Sequence, residues 1–272
     1  MFKIAAAHLL VIILAINSYG DVLFEMTQKD TGAGTASKSE GKVKGENIRL
    51  DMYENGDKAQ GSMVFRGDRD EMIMINHQDK SYVVLDEAAM LELGKQMDQA
   101  MSQMEEALKD VPPEKREMVR KMMKERMPGL EGGEDEEPVM KKAGKGEANG
   151  YPCTMYDVFK GDVKVRRHCV APWGKIKGGE EMKKAMLGMA DFMDMMAESF
   201  SNRSGFAGRQ VQFERNVFDQ LRKLDGFPVE TIDYSGGQVV GESGLMSSKK
   251  QNIDPSEFEP PQGYKPQSMN MK

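Results

Sequence analysis

The side chains in this chain best equipped for chemistry are soft ones: 25 methionines and two cysteines in 272 residues, against three histidines. A thioether carries no proton to lose. Its unbranched chain repacks around many shapes, and its sulfur suits soft ions such as Cu(I). The spacing is helical. Met90, Leu93, Met97, Met101, Met104 and Leu108 share one helix face, as do Met182, Met186, Met189, Met193, Met196 and Phe200. Apolar steps of three and four return to the same side of a helix. Three roles fit such stripes: filler for a core packed on a sheet, a deformable cavity for an apolar ligand, or capture of Cu(I). Met72/Met74, Met101/Met104 and Met269/Met271 have spacings a soft ion could use. The stripe residues from Met90 to Met104 and from Met182 to Phe200 are the ligand-cavity candidates, and no metal set is assigned.

The cysteines have a different chemistry open to them. Cys153 and Cys169 flank Gly161-Asp162 inside runs of strand character. A hairpin with a three-residue loop sets them directly opposite each other, whereas a two-residue loop shifts the register by one and separates their faces. The paired register is expected, and a disulfide with it. A thiol nucleophile fits poorly, because His168 is adjacent to Cys169 and neighbours on a strand point to opposite faces. The chain has no Gly-x-Ser-x-Gly, His-Glu-x-x-His, P-loop or dinucleotide fingerprint. No catalytic residue and no cofactor is therefore assigned. Asp51, Asp157, Asp233, Arg66, Arg166 and Arg167 read as solvated strand charges, and Trp173 as a core anchor.

The elements around these residues begin with an address label. Lys3, the apolar run 4–16 broken only by His8, and Ser18-Tyr19-Gly20 have the layout of a secretory signal cleaved near Gly20/Asp21. The run is shorter than the ~20 residues a spanning helix needs. A periplasmic or secreted protein without a transmembrane segment in its mature chain is expected. The formal charge is −6, and no basic patch points to nucleic acid.

Alternating runs at 22–29, 42–53, 63–65, 71–76 and 80–85, with Gly, Asn and Asp turns between them, read as an antiparallel meander. Asp86 caps a helix to about 109, and Pro113 opens a second over 113–127. An acidic loop at 131–137 follows. Strands return at 139–145 and through the cysteine hairpin, then a helix at 179–200 and an amphipathic segment at 217–224. Strands at 227–234, 238–242 and 245–252 close the chain. The pattern gives one α+β domain over 21–265, with helical insertions at about 86–128 and 178–201 and a disordered tail at 266–272.

Three stretches carry a family resemblance. They are Lys44-Gly45-Glu46-Asn47-Ile48-Arg49-Leu50-Asp51-Met52; Met72-Ile73-Met74-Ile75-Asn76 with Lys80-Ser81-Tyr82-Val83-Val84-Leu85-Asp86 and the Met-rich helix after it; and Pro255-Ser256-Glu257-Phe258-Glu259-Pro260-Pro261-Gln262-Gly263-Tyr264. Together the chain resembles an exported bacterial domain-of-unknown-function family related to the lipoprotein-carrier (Lol-type) half-barrels. The resemblance implies a strongly curved, open antiparallel half-barrel of about ten or eleven strands, with Met-rich helices covering its concave face. Carriers of that fold hold acyl chains between sheet and helices. The implied function is a non-enzymatic carrier or binding protein for a hydrophobic small molecule or lipid, with an envelope protein as a further partner. Periplasmic Cu(I) binding through methionine, or a structural protein with a packed core, are the alternatives.

Overall fold

The computed structural model describes residues 20–54, 56–109, 138–201 and 222–268. The signal at 1–19, the helix expected at 113–127, the acidic loop and most of the segment at 217–224 lie outside them.

One sheet of twelve strands organises the chain, in the order β12-β6-β5-β4-β3-β2-β1-β11-β10-β9-β8-β7. The first wing is a meander: β1 Val22–Asp30, β2 Thr35–Lys44, β3 Asn47–Tyr53, β4 Gly61–Arg66, β5 Glu71–Asn76 and β6 Ser81–Leu85. The second wing runs outward from β11 Gln238–Lys250 through β10 Phe227–Ser235, β9 Val163–Ala171 and β8 Tyr151–Lys160 to β7 Val139–Ala148. The two wings join where β1 pairs antiparallel with β11. All pairings are antiparallel except that of the short β12, Lys265–Pro266, with β6. The sheet is open and curved, and the chain is α+β but mostly β.

Twelve strands exceed the ten or eleven expected, and the reason is local. The run read as one strand at 42–53 is a hairpin of β2 and β3, turning at Gly45, whose φ of 61° suits glycine. Most of β2 is polar (Thr35-Ala36-Ser37-Lys38-Ser39-Glu40-Gly41), so its alternation carries little hydrophobic signal. Its partner supplies what is missing. Phe24 of β1 lies over Gly41, where a Cβ would come 1.9 Å from the ring. Conversely, the expected strands at 238–242 and 245–252 are one strand, β11, with an irregularity opposite Glu25/Met26. The sheet continues beyond 265: Pro266 pairs with Tyr82, and the Gln267 amide donates to the Tyr82 carbonyl at 2.8 Å.

The disulfide Cys153–Cys169 is formed, with a Cα–Cα distance of 5.4 Å. Its register differs from the expected one. The hairpin closes on the two-residue loop Gly161-Asp162, since Lys160 pairs with Val163, and Cys169 lies opposite Met155, not opposite Cys153. A bulge at Val165, between the Val158 and Phe159 pairings, inserts one residue. It returns both cysteines to one face as diagonal neighbours.

Two long helices are described, α1 Glu87–Lys109 and α2 Gly179–Ser201. Asp86 caps α1, accepting from the Ala89 amide at 2.7 Å. Glu180 and Glu181 sit in the first turn of α2, where the macrodipole favours anions, and Glu181 pairs with Lys250 at 2.7 Å. The buried side of α2 is Met182, Ala185, Met189, Phe192 and Met196. It is rotated from the expected stripe. Ala185 and Phe192 take the centre, and Met186 and Met193 are half-buried on the flank. Among the described residues no helix is long and apolar enough to cross a membrane.

Candidate functional site

The register of β1–β6 sorts side chains into rows across the strands. On the face that packs α2, the deepest row is Val22, Val43, Ile48, Phe65, Met72 and Leu85. The next is Phe24, Gly41, Leu50, Met63, Met74 and Val83. The third is Met26, Ser39, Met52, Gly61, Asn76 and Ser81. The helix lies over the first row: Met182 takes a weak contact from the Ser248 hydroxyl, and Phe192 meets Phe65 with ring centroids 5.5 Å apart. Val22, Val43, Ile48 and Phe65 are all under 3% exposed. Beyond the helix the face stays apolar instead of turning polar. Met26, Leu50 and Met63 are half-buried, Met74 is 40% exposed and Met52 is 42% exposed. Met63 and Met74 are directly opposed on neighbouring strands, and the Met52 methyl leans over Gly61. We call this surface the helix face. On the second wing, Met155 and Tyr151 pack half-buried against the same core.

The other side of these strands is closed by the chain's own C-terminal strap, residues 251–267. Val64, Ile73 and Ile75 pack there with Ile253 and Phe258, joined by Tyr82, Val84 and Tyr264. Beside them is a buried polar chain. The Ser62 hydroxyl, fully buried, donates to Asp51 Oδ1 at 2.5 Å. Arg49 reaches Asp51 at 2.7 Å, Ser62 Oγ at 3.2 Å and, across 208 residues of sequence, the Glu257 carbonyl at 2.7 Å. Lys42 links Asp51 and Glu257 at 3.3 and 2.9 Å. Arg66 pairs with Glu71 and with Glu259 of the strap. His77 Nε2 is 2.7 Å from Ser62 Oγ, and its Nδ1 is 3.0 Å from the Tyr264 hydroxyl.

Proton counting fixes the roles in this chain. Ser62 has one proton, and it goes to Asp51. The serine oxygen therefore accepts from His77, which places the imidazole proton on Nε2 and leaves Nδ1 to accept from Tyr264. Burial, then the Arg49 cation, push the His77 pKa below its ordinary value, in keeping with a neutral ring. Burial opposes the Asp51 charge, but the Ser62 hydroxyl and Arg49 outweigh it and hold its pKa low. Aspartate, serine and histidine thus meet in an order unlike that of a nucleophile site. The acid takes the serine proton, and the serine has no exposure.

On the second wing His168 is buried, bonded through Nδ1 to Thr231 Oγ1 at 2.9 Å. Burial, then Arg166, push its pKa down to about 4. A separate open cavity of about 440 Å³ near the β1–β2 and β10–β11 ends carries mixed charges, among them Lys29, Lys38, Glu230 and Glu242. Among the described residues no group of three His, Cys, Asp or Glu is placed to hold a metal ion.

Of the candidates read from sequence, Met90, Met182, Met189 and Met196 are buried in the main core, and Met186 and Met193 flank it. The side chains of Leu93, Met97, Met101, Met104 and Phe200 lie outside the described residues. The space beside Met186, Ala190, Trp173 and Phe227 is only about 30 Å³, room for one water. Sequence reasoning missed the strand methionines Met26, Met52, Met63 and Met74, because pairing register, not helical period, brings them together. It also read Asp51 and Arg66 as solvated. Both are buried, at 3% and 7% exposure, because a segment some 200 residues later covers them. Trp173 is buried, with its ring 5.7 Å from that of Phe227.

No protein-family model matches the chain, and no curated protein does. Among solved structures, an uncharacterized conserved protein from Thermus thermophilus superposes with a TM-score of 0.43 at 5% identity, over 91% of this chain and 90% of that one. MucB in complex with MucA(peri) gives a TM-score of 0.37 at 7% identity, over 89% of this chain and 55% of that one. The Pseudomonas aeruginosa MucA/MucB complex gives 0.37 at 10% identity, over 88% and 55%. The chain spans little more than half the length of the MucB structures it resembles.

Proposed function

We propose that this chain is an exported binding protein that holds a lipid, or another ligand with an acyl chain, on the thioether rows of its helix face, and that it performs no covalent chemistry. The observation that carries the reading is the continuation of the apolar rows past α2. Met26, Met52, Met63, Met74 and Leu50 extend the core surface toward solvent on one face. An apolar surface contiguous with a core and open at its edge is a binding site by its energetics, since covering it releases ordered water. Methionine makes that surface fit chains of different shape, because each side chain can change rotamer at small cost. The ligand would displace thioethers rather than enter a preformed tunnel. The disulfide suits an oxidising compartment, which supports export.

Cu(I) capture is the second reading, and it rests on the direct opposition of Met63 and Met74 with Met52 beside them. One experiment separates the two. An environment-sensitive fluorescent fatty acid is titrated with the purified mature protein and displaced by oleate or lysolipid. Met52→Gln with Met74→Gln, both at exposed positions, should weaken probe binding severalfold and leave the fold intact. Saturable anaerobic Cu(I) binding without probe binding would favour the second reading. No response to either would remove both.

A further inference from the structure

We propose that the C-terminal strap is a pH-sensitive latch, held closed by neutral His77 and released when that imidazole takes up a proton. The strap is held to the sheet mainly by polar contacts. Glu257 is gripped by Arg49 and Lys42, Glu259 by Arg66 and Arg69, and the Ile253 carbonyl by Lys44 at 2.9 Å. Tyr264 closes the far end on His77. Beyond it, β12 adds only two paired residues to the β6 edge.

The charges facing His77 decide what a second proton does. From β3 come Arg49 and Asp51, from β4 the neutral Ser62, from the strap the Tyr264 hydroxyl, and on its own turn Asp79, which is bonded to the Asn76 side-chain amide at 2.9 Å. Next to it, Lys42 and Arg49 balance Asp51 and Glu257. The cluster is therefore neutral with His77 neutral. A proton on Nδ1 adds a cation beside Arg49 and replaces the acceptor that Tyr264 uses with a donor. The Asp51 oxygens are already committed to Arg49, Ser62 and Lys42, so no acceptor in the cluster is left for the new charge. Water can solvate the imidazolium only if Tyr264 moves away. Strap release then uncovers the β6 edge and the apolar side chains Ile73, Ile75 and Val84.

The direction of the response follows from linkage. A histidine whose pKa is lower in the closed state favours closure above the free imidazole value near 6.5 and loses that contribution as pH falls below it. Hydrogen exchange read by mass spectrometry on the mature protein, at about pH 7.5 and about pH 5 with intrinsic rates corrected, tests the latch. Peptides covering 253–267 should lose protection severalfold at the lower pH while those of β8–β10 keep theirs. His77→Gln, which cannot gain charge, should abolish the strap's pH response. Should that variant loosen the strap at both pH values, wild-type NMR decides: the Tyr264 ring signals must shift with the same midpoint as the His77 ring. Strap protection that ignores pH, an equal response in His77→Gln, or Tyr264 signals that do not follow His77 would overturn the proposal.

Discussion

On the helix face of β1–β6, the side chains that thin out toward solvent are Met26, Met52, Met63 and Met74. On the opposite face of the same strands, the apolar positions are Val64, Ile73, Ile75 and Val84. The backbone is shared, so the difference lies in what each face must do. Branched side chains have few rotamers and hold one packing. They sit under a strap bolted down by Arg49, Asp51, Lys42 and Glu257. Thioethers have many rotamers and hold none in particular. They sit where the face is left partly open. One face is built to stay as it is, the other to accept change.

The largest effect should come from breaking the fixed face. Asp51→Ala leaves Arg49 and Ser62 buried without their acceptor, and removing one partner of a buried ion pair costs about 3–5 kcal/mol. Urea denaturation should show a loss in that range. A loss below about 1 kcal/mol would mean the network does not hold the strap.

Next comes an acid effect on the second wing, outside both faces. His168 has its pKa lowered to about 4 from an ordinary 6.5. Its contribution to stability is complete above pH 6.5 and falls away as pH drops from there through about 4. The span amounts to roughly 3 kcal/mol. His168→Asn should flatten the stability profile across that window. An unchanged profile would place the acid sensitivity elsewhere.

The smallest effect on stability should come from the helix face. Met186, Met189 and Met193 replaced by leucine keep volume and polarity, and such swaps usually cost under ~1.5 kcal/mol each. The triple variant should fold with a similar melting temperature. A γ-branched surface adapts less, so the range of displacing lipids should narrow while some binding remains. Unfolding of the triple variant would show that α2 is packed as tightly as the strap side.

Much of the helix face was legible in the sequence because a helical stripe is a local pattern. Met182, Met189 and Met196 recur every seven residues and are buried, and Asp86 marked the start of α1. The buried side of α2 was harder to place, since methionine count favoured Met186 and Met193 over the smaller Ala185 and the larger Phe192 that fit the sheet. The strand methionines were hidden for a different reason. Met52, Met63 and Met74 become neighbours only through hairpin register, and β2, which sets part of that register, looks like a loop in composition. The polar network was hidden by distance. Alternation in 44–52 shows a charged face, but nothing nearby says that Glu257 and Tyr264 will cover it. The cysteine register turned on one bulged residue, Val165, which spacing alone does not reveal.

The contrast between the faces can be read in one spectrum. Mature protein labelled with ¹³C at methionine ε and isoleucine δ1 methyls is titrated with lysolipid below its micelle-forming concentration. Saturable shifts are expected at Met26, Met52, Met63 and Met74, with Ile73, Ile75 and Ile253 under the strap unmoved. Methionine signals that stay in place while ligand accumulates, or isoleucine signals that move as far, would contradict the division of labour between the two faces.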